Sequence, residues 1–262
     1  MSGKQVAIVT GATGAIGRAI ARQLALRPEF AVVLAARNAQ KAEQAVTEIQ
    51  KATGSQAVRY ALVDLSRKAS IEALAELWEG PLHVLVNNAG ATPRRREETP
   101  EGIEAQFATN VLGYFWMVQA FAEALKAGTP SRVVNVASYW AGGLELDDLE
   151  FRRRGYDNDS AYRQSKQADR MLTVAFATRL RPHGISVNAC HPGDVNSTLS
   201  NNLGFGGHET PDQGAATPVW LATEPVGIEE TGRYFEHGRM SACRFSEDAD
   251  AVEALYAACA GY

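Results

Sequence analysis

Cysteine is scarce in this 262-residue chain, and Cys190, Cys243 and Cys259 show no C-x-x-C spacing and leave an odd count. A disulfide framework is thereby excluded, and reduced thiols in a reducing compartment are expected, with the cytoplasm as the location. The histidines, His83, His183, His191, His208 and His237, show no H-E-x-x-H or comparable ligand spacing, so no metal site is expected. With 23 Gly and 10 Pro the chain stays near the globular average, which excludes fibrous and disordered classes. An excess of basic charge is also lacking. Against 30 acidic residues stand 26 Lys and Arg, a net charge of −4 that argues against nucleic acid as the main partner. The triplets Arg94–Arg96 and Arg152–Arg154 lie among acids and read as solvated loops.

Long apolar runs are missing as well. The run Val6–Val9 is too short for a signal peptide. The uncharged stretch Ala105–Ala122 holds Gln106, Thr109, Asn110 and Gln119, which lipid would leave unsatisfied, so it reads as a buried helix and no membrane partner is expected.

Short apolar, β-branched runs recur at Val6–Thr10, Ala31–Ala35, Ala57–Leu62, Leu82–Val86, Arg132–Val136, Ile185–Cys190 and Arg233–Phe235. Several are apolar throughout, as suits strands covered on both faces of a parallel sheet. Between them lie helix spacings: Ile16, Ile20 and Leu24; Ala42, Ala45, Val46 and Ile49, ended by Gly54; and Ile71, Leu74, Leu77 and Trp78, ended by Gly80–Pro81. Repeated strand–helix–strand units predict an α/β fold, a Rossmann-type doubly wound parallel sheet. No linker or repeat interrupts it, so residues 1–262 read as a single dinucleotide-binding and catalytic domain.

Thr10-Gly11-Ala12-Thr13-Gly14-Ala15-Ile16-Gly17 follows the first strand and opens the first helix. Glycines there permit a tight turn and close backbone approach, while a helix N-terminus offers free N–H groups to a pyrophosphate. Gly11, Thr13, Gly14, Ile16 and Gly17 are the expected cofactor contacts. The second strand ends in Leu34-Ala35-Ala36-Arg37-Asn38, and no acid lies between Phe30 and Lys41. An NAD site usually has an acid here for the ribose 2′-hydroxyl, whereas Arg37 suits a 2′-phosphate, so the cofactor is expected to be NADP(H).

Further motifs follow in order: Asp64-Leu65, Asn87-Asn88-Ala89-Gly90, Asn110, Ser138, Tyr162-Arg163-Gln164-Ser165-Lys166 and His191-Pro192-Gly193. With the glycine turn they make the chain resemble the short-chain dehydrogenase/reductases over nearly its whole length. Gly142–Lys166 and Asp212–Ala216 look most like the retinol-dehydrogenase and WW-domain-oxidoreductase branch. The glycine turn departs from the family's single-domain form, which has Gly where this chain has Ala15. Its T-G-x-x-G-x-x-G spacing matches the extended, sugar-nucleotide-modifying branch, but that branch appends a substrate domain for which this chain is too short.

Tyr162 and Lys166, at i and i+4, share one helix face. An ammonium roughly 5 Å from a phenol contributes about 3 kcal/mol at an effective dielectric of 20, near two pKa units, which brings Tyr162 towards the range useful for proton transfer. Ser138, at a strand end, can hydrogen-bond a carbonyl oxygen as charge develops on it. The resemblance implies that Lys166 also holds the nicotinamide ribose and that Asn110 anchors a water relaying protons to Lys166. It further implies that Asp64 and Leu65 flank the adenine, that Asn88 approaches the ribose, and that Pro192, Gly193 and Val195 approach the nicotinamide. Dimer or tetramer assembly is a family-level expectation, with the helix around Phe107–Phe121 as the suggested surface.

The glycine-rich segment Asn196–Gln213, with Leu199, Leu203 and Phe205, reads as a lid, and Tyr139, Trp140 and Leu144 as an apolar wall. The combined expectation is hydride transfer between nicotinamide and a carbonyl or secondary alcohol of a hydrophobic small molecule. Two other readings stand beside it: a non-catalytic NADP-binding sensor or scaffold, and a sugar-nucleotide epimerase-like activity suggested by Gly14 alone. His191 and Cys190 read as packed core residues.

Overall fold

The computed structural model describes residues 3–262. The apolar runs become β1 (Gln5–Thr10), β2 (Phe30–Ala36), β3 (Val58–Leu62), β4 (Val84–Asn87), β5 (Ser131–Val136), β6 (Ile185–His191) and β7 (Tyr234–Glu236). An eighth, β8 (Arg239–Ser241), follows without a sequence forecast. The sheet order is β3-β2-β1-β4-β5-β6-β7-β8, parallel except for β8. The β7–β8 turn is His237-Gly238, both at positive φ, the two-residue hairpin whose twist matches flanking strands.

Helices cover both faces: α1 (Ala15–Ala25), α2 (Ala39–Thr53), α3 (Lys68–Glu76), α4 (Ala105–Phe107), α5 (Gly113–Ala120) and α6 (Ala122–Ala127). They continue as α7 (Asn158–Leu180), α8 (Thr198–Asn202), α9 (Pro211–Thr223), α10 (Val226–Glu229) and α11 (Ala249–Ala260). Alternate strand residues serve opposite faces. Ile8, Leu85, Val133 and Val187 pack in the layer of α5, α7 and α11, while Ala7, Val9, Val86 and Val134 pack in that of α1, α2 and α9. Gly54, at φ 73, ends α2 as its sequence position predicts. Helix α3 stops at Glu76, two residues before the expected Trp78, and leaves Leu77 83% exposed rather than in the core.

The uncharged stretch is helical and buried, but a π turn, Ala108–Leu112, separates α4 from α5. Phe115 of α5 meets Phe176 of α7 and Tyr256 of α11 at ring separations of 5.1 Å each. The suggested subunit surface around Phe107–Phe121 is therefore corrected: α11 and α7 of the same chain already cover it. No described helix is long and apolar enough to cross a membrane.

Two polar devices tie the layers together. Asn87 Nδ2 donates to Asn135 Oδ1 at 3.0 Å across the β4–β5 pair, and Asn135 Nδ2 donates to Thr173 Oγ1 of α7 at 2.9 Å. Buried Arg132 donates to the Ala222 and Glu224 carbonyls at the end of α9, where the helix dipole is negative. Arg152–Arg154 is anchored rather than simply solvated: the three backbone N–H groups donate to the buried Asp148 carboxylate, and Arg153 pairs with Asp147.

The sheet order reverses between β1 and β4, so the loops after these strands diverge and open a crevice at their carboxyl ends.

Candidate active site

The glycine turn lies in that crevice. Gly11 sits at φ 62, and a Cβ on it would lie 2.7 Å from Ala89 Cα. On Gly17 a Cβ would lie 2.5 Å from both Gly11 O and Asn88 Nδ2. Asn88 in turn donates from its amide nitrogen to Thr10 O at 2.9 Å, while Thr10 Oγ1 accepts from the Asn88 and Ala89 backbones. The β1 and β4 loops are thereby locked side by side. Helix α1 begins at Gly14 with no side-chain cap and no acid in its first turn. Side chains cap α2, α7, α8, α9 and α11: Asn38, Asp157, Ser197, Thr210 and Asp248. The first N–H groups of α1 thus face the crevice unclaimed by any side chain, as an anion site requires.

A groove of about 370 Å³ brings together the predicted Gly11, Thr13, Gly14, Ile16, Gly17, Arg37, Asp64, Leu65 and Asn88. Asp64 is held by Ser66, whose hydroxyl donates to Oδ1 at 2.7 Å. Arg37 is exposed at the groove's edge. Ala15, Ala89, Gly90, Thr109, Ser197, Thr198 and Leu199 also line it; the glycine turn, Asn87–Gly90 and the expected lid Asn196–Gln213 had signalled all of these but Thr109. Leu199 reaches across to Gly90, where a Cβ would stand 3.0 Å from its Cδ1. Pro192, Gly193 and Val195 do not line the groove. Val195 is buried and pairs with Glu209 in an isolated bridge, while the Glu209 carboxylate covers Gly193, so this turn is closed by the chain's own side chains.

At the β5 end, Ser138 is buried and its Oγ accepts from Trp140 N–H at 3.0 Å. Tyr162 and Lys166 project from α7, with Lys166 Nζ 5.9 Å from the Tyr162 ring centroid and 5.1 Å from that of Tyr114. Lys166 donates to the Val136 carbonyl at 3.1 Å and to Asp169 Oδ2 at 2.8 Å, a partner the sequence reading missed. Burial pushes the Tyr162 phenol above its ordinary value, and the Lys166 ammonium and Ser138 hydroxyl pull it back only in part. The expected lowering towards neutrality is thus reversed, because desolvation outweighs an ammonium already paired with a carboxylate.

Asn110 lies in the π turn, a distortion common at functional sites. Its side chain donates to Ala91 O and Ser165 Oγ at 3.1 Å each and accepts from Ala91 N, holding the β4 loop against α7. His191 is buried and neutral, its imidazole held down at about 3 by burial. Burial pushes the Cys190 thiol up.

Trp140 and Phe205, 40% and 45% exposed, stack nearly parallel with centroids 6.1 Å apart, joining the β5 loop to the segment after α8. Leu144 packs on the core instead of the wall.

A family profile for short chain dehydrogenases matches residues 5–204. Human retinol dehydrogenase 13 is 32% identical over 97% of this chain and 83% of its own length. Human retinol dehydrogenase 11 is 36% identical over 86% of this chain and 74% of its own. A variant of the actinorhodin polyketide ketoreductase crystallised with NADPH superposes with a TM-score of 0.69 at 26% identity, covering 89% of this chain and 95% of its own. With these likenesses, the chain belongs to the short-chain dehydrogenase family and is related to its retinol dehydrogenase branch.

Proposed function

We propose that the chain is an NADP(H)-dependent oxidoreductase that interconverts a carbonyl and a secondary alcohol on a hydrophobic small molecule. The observation that carries this reading is that Tyr114 Oη lies within hydrogen-bond distance of both the groove-lining Ala89 carbonyl and the Val136 carbonyl that holds Lys166, so the Tyr162, Lys166 and Ser138 cluster adjoins a groove that includes the uncapped N-terminus of α1. The residues fit a dinucleotide: the glycine contacts leave room only for backbone, and the free N–H groups suit a pyrophosphate. Gly11, Gly14, Ile16 and Gly17 would hold the phosphates, Arg37 the 2′-phosphate, Asp64 and Leu65 the adenine, and Asn88 a ribose. When bound, the nicotinamide supplies or accepts the hydride. Residues 1–262 would act as one domain.

Tyr162 carries the proton. Its raised pKa keeps the phenol protonated at neutral pH, the form that donates to an oxygen gaining negative charge. Ser138 would hydrogen-bond that oxygen and orient it towards the phenol. Lys166 supplies the positive charge that eases loss of the Tyr162 proton. Asn110 keeps the β4 loop and α7 at a fixed separation. The exposed Trp140–Phe205 pair offers an aromatic wall for an apolar substrate.

The test is NADPH consumption against a panel of hydrophobic aldehydes and ketones, with Tyr162→Phe alongside and NADPH binding followed for both. Turnover lost in the variant while binding persists is the expected result. Binding without any turnover would favour the sensor reading. Equal affinity for NADH and NADPH would remove the NADP(H) assignment.

A further inference from the structure

Lys166 has a partner that the proposed reaction does not require. Asp169, one turn along α7, accepts from Nζ at 2.8 Å, and the two side chains are only 4% and 0% exposed. Asp169 Oδ1 is buried with no hydrogen-bond partner. A buried carboxylate with an orphan oxygen is costly, and an apolar side chain of similar volume would pack at least as well. The reason for a carboxylate must therefore lie in the ammonium it meets.

Four titratable groups face Lys166: Tyr114 from α5, Tyr162 and Asp169 from α7, and Cys190 from β6. Burial pushes Tyr114, Tyr162 and Cys190 up, so all three are neutral near pH 7. Asp169, which burial raises and Lys166 holds down to about 6, is ionised there. Tyr162 also feels the more distant, partly exposed Asp194. Arg170, the next residue on α7, turns away to the Ser138 carbonyl and the Tyr234 ring. Asp169 is thus the one negative charge in direct contact with the ammonium among the described residues.

We propose that Asp169 is a positioning residue of the site: its carboxylate fixes the Lys166 ammonium beneath Tyr162 and cancels part of that ammonium's charge at the phenol. The first effect leaves Lys166 bound between Asp169 and the Val136 carbonyl, with its position set before any substrate arrives. The second keeps the phenol in its proton-donating form and biases the free protein towards reduction. Only this last consequence rests on the reading of Tyr162 as the proton donor.

The experiment reads Tyr162 ionisation directly, from tyrosinate absorbance near 295 nm, as the difference between each protein and the same protein carrying Tyr162→Phe. In Asp169→Asn the midpoint is expected to fall by about one pH unit, tenfold in the ionisation constant, and Asp169→Glu is expected to restore it. A midpoint that stays or rises in Asp169→Asn overturns the proposal, because a merely structural carboxylate lowers thermal stability without moving it. Should the amide not be accommodated, Asp169→Ser removes the same charge with a smaller acceptor and is read the same way. The titration needs neither substrate nor cofactor, so its outcome stands apart from whether any carbonyl is reduced. Where the panel yields turnover, the decline of kcat/KM for reduction with rising pH should begin about one unit earlier in Asp169→Asn.

Discussion

At the β1 end of the crevice the walls are glycine, backbone and largely uncharged side chains, and of the groove's own titratable residues, Arg37 and Asp64, neither is buried. At the β5 end, Tyr162, Lys166, Asp169, Tyr114 and His191 are all buried, and each is displaced from its ordinary pKa. One end works by shape and the other by charge held out of water. Shape at the first is fixed by contacts that tolerate no added atom, whereas charge at the second is set by which partner each ionised group retains. The two ends should therefore fail differently when altered.

The largest effect is expected from Lys166→Met, which leaves Asp169 as an unpaired buried charge and should cost about 3–5 kcal/mol at neutral pH. In that variant Asp169 is raised further, so the folded state regains stability as pH falls and the group protonates. Thermal unfolding from pH 8 to pH 5 checks this, and a variant with no such recovery would show that charge is not what the β5 end stores. At the other end, Gly17→Ala should weaken NADPH binding about 100-fold, ~2.7 kcal/mol, because its Cβ meets the Gly11 backbone at 2.5 Å. Calorimetric titration at two pH values should find that loss independent of pH.

His191 gives an intermediate effect. Its folded pKa is depressed to about 3 from 6.5, so the stability it contributes is present above pH 6.5 and drains away as pH falls towards 3. Between pH 7 and pH 5 the parent should lose about 2 kcal/mol that His191→Asn does not lose, as measured by denaturant unfolding. Smallest is Arg37→Ser, expected to cost about tenfold, ~1.4 kcal/mol, in NADPH affinity and nothing in NADH affinity. A variant that weakens both cofactors alike would remove Arg37 from the phosphate end.

The β1 end was readable because its parts are contiguous: a strand, Gly11 to Gly17, and a helix, each forecast by local pattern. The α/β class and seven of the strands were readable for the same reason. What escaped depends on residues far apart in sequence or on a choice among ordinary-looking positions. Asp169 resembles any helical acid until its i−3 neighbour proves to be a buried ammonium. The lid reading included Leu199, but not its contact with Gly90, more than a hundred residues earlier. The burial of the Phe115 segment was expected, but that this chain covers it instead of a second subunit follows from α11, a helix that arrives only at the end of the chain. Arg152–Arg154 looked solvated because nothing local reveals that Asp148 is buried beneath it.

The amide chain from Asn87 through Asn135 to Thr173 bears on how the molecule avoids misfolding. A parallel sheet assembles from segments distant in sequence, slowly and with long exposure of sticky, interchangeable apolar strands. Aliphatic side chains alone distinguish poorly between alternative alignments. Sliding β4 against β5 by one residue would turn one amide to the opposite face and leave two polar groups stranded in hydrocarbon. The asparagines thus act as a checksum on strand alignment. Replacing both with leucine should yield a protein that gains stability yet refolds with a larger aggregated fraction.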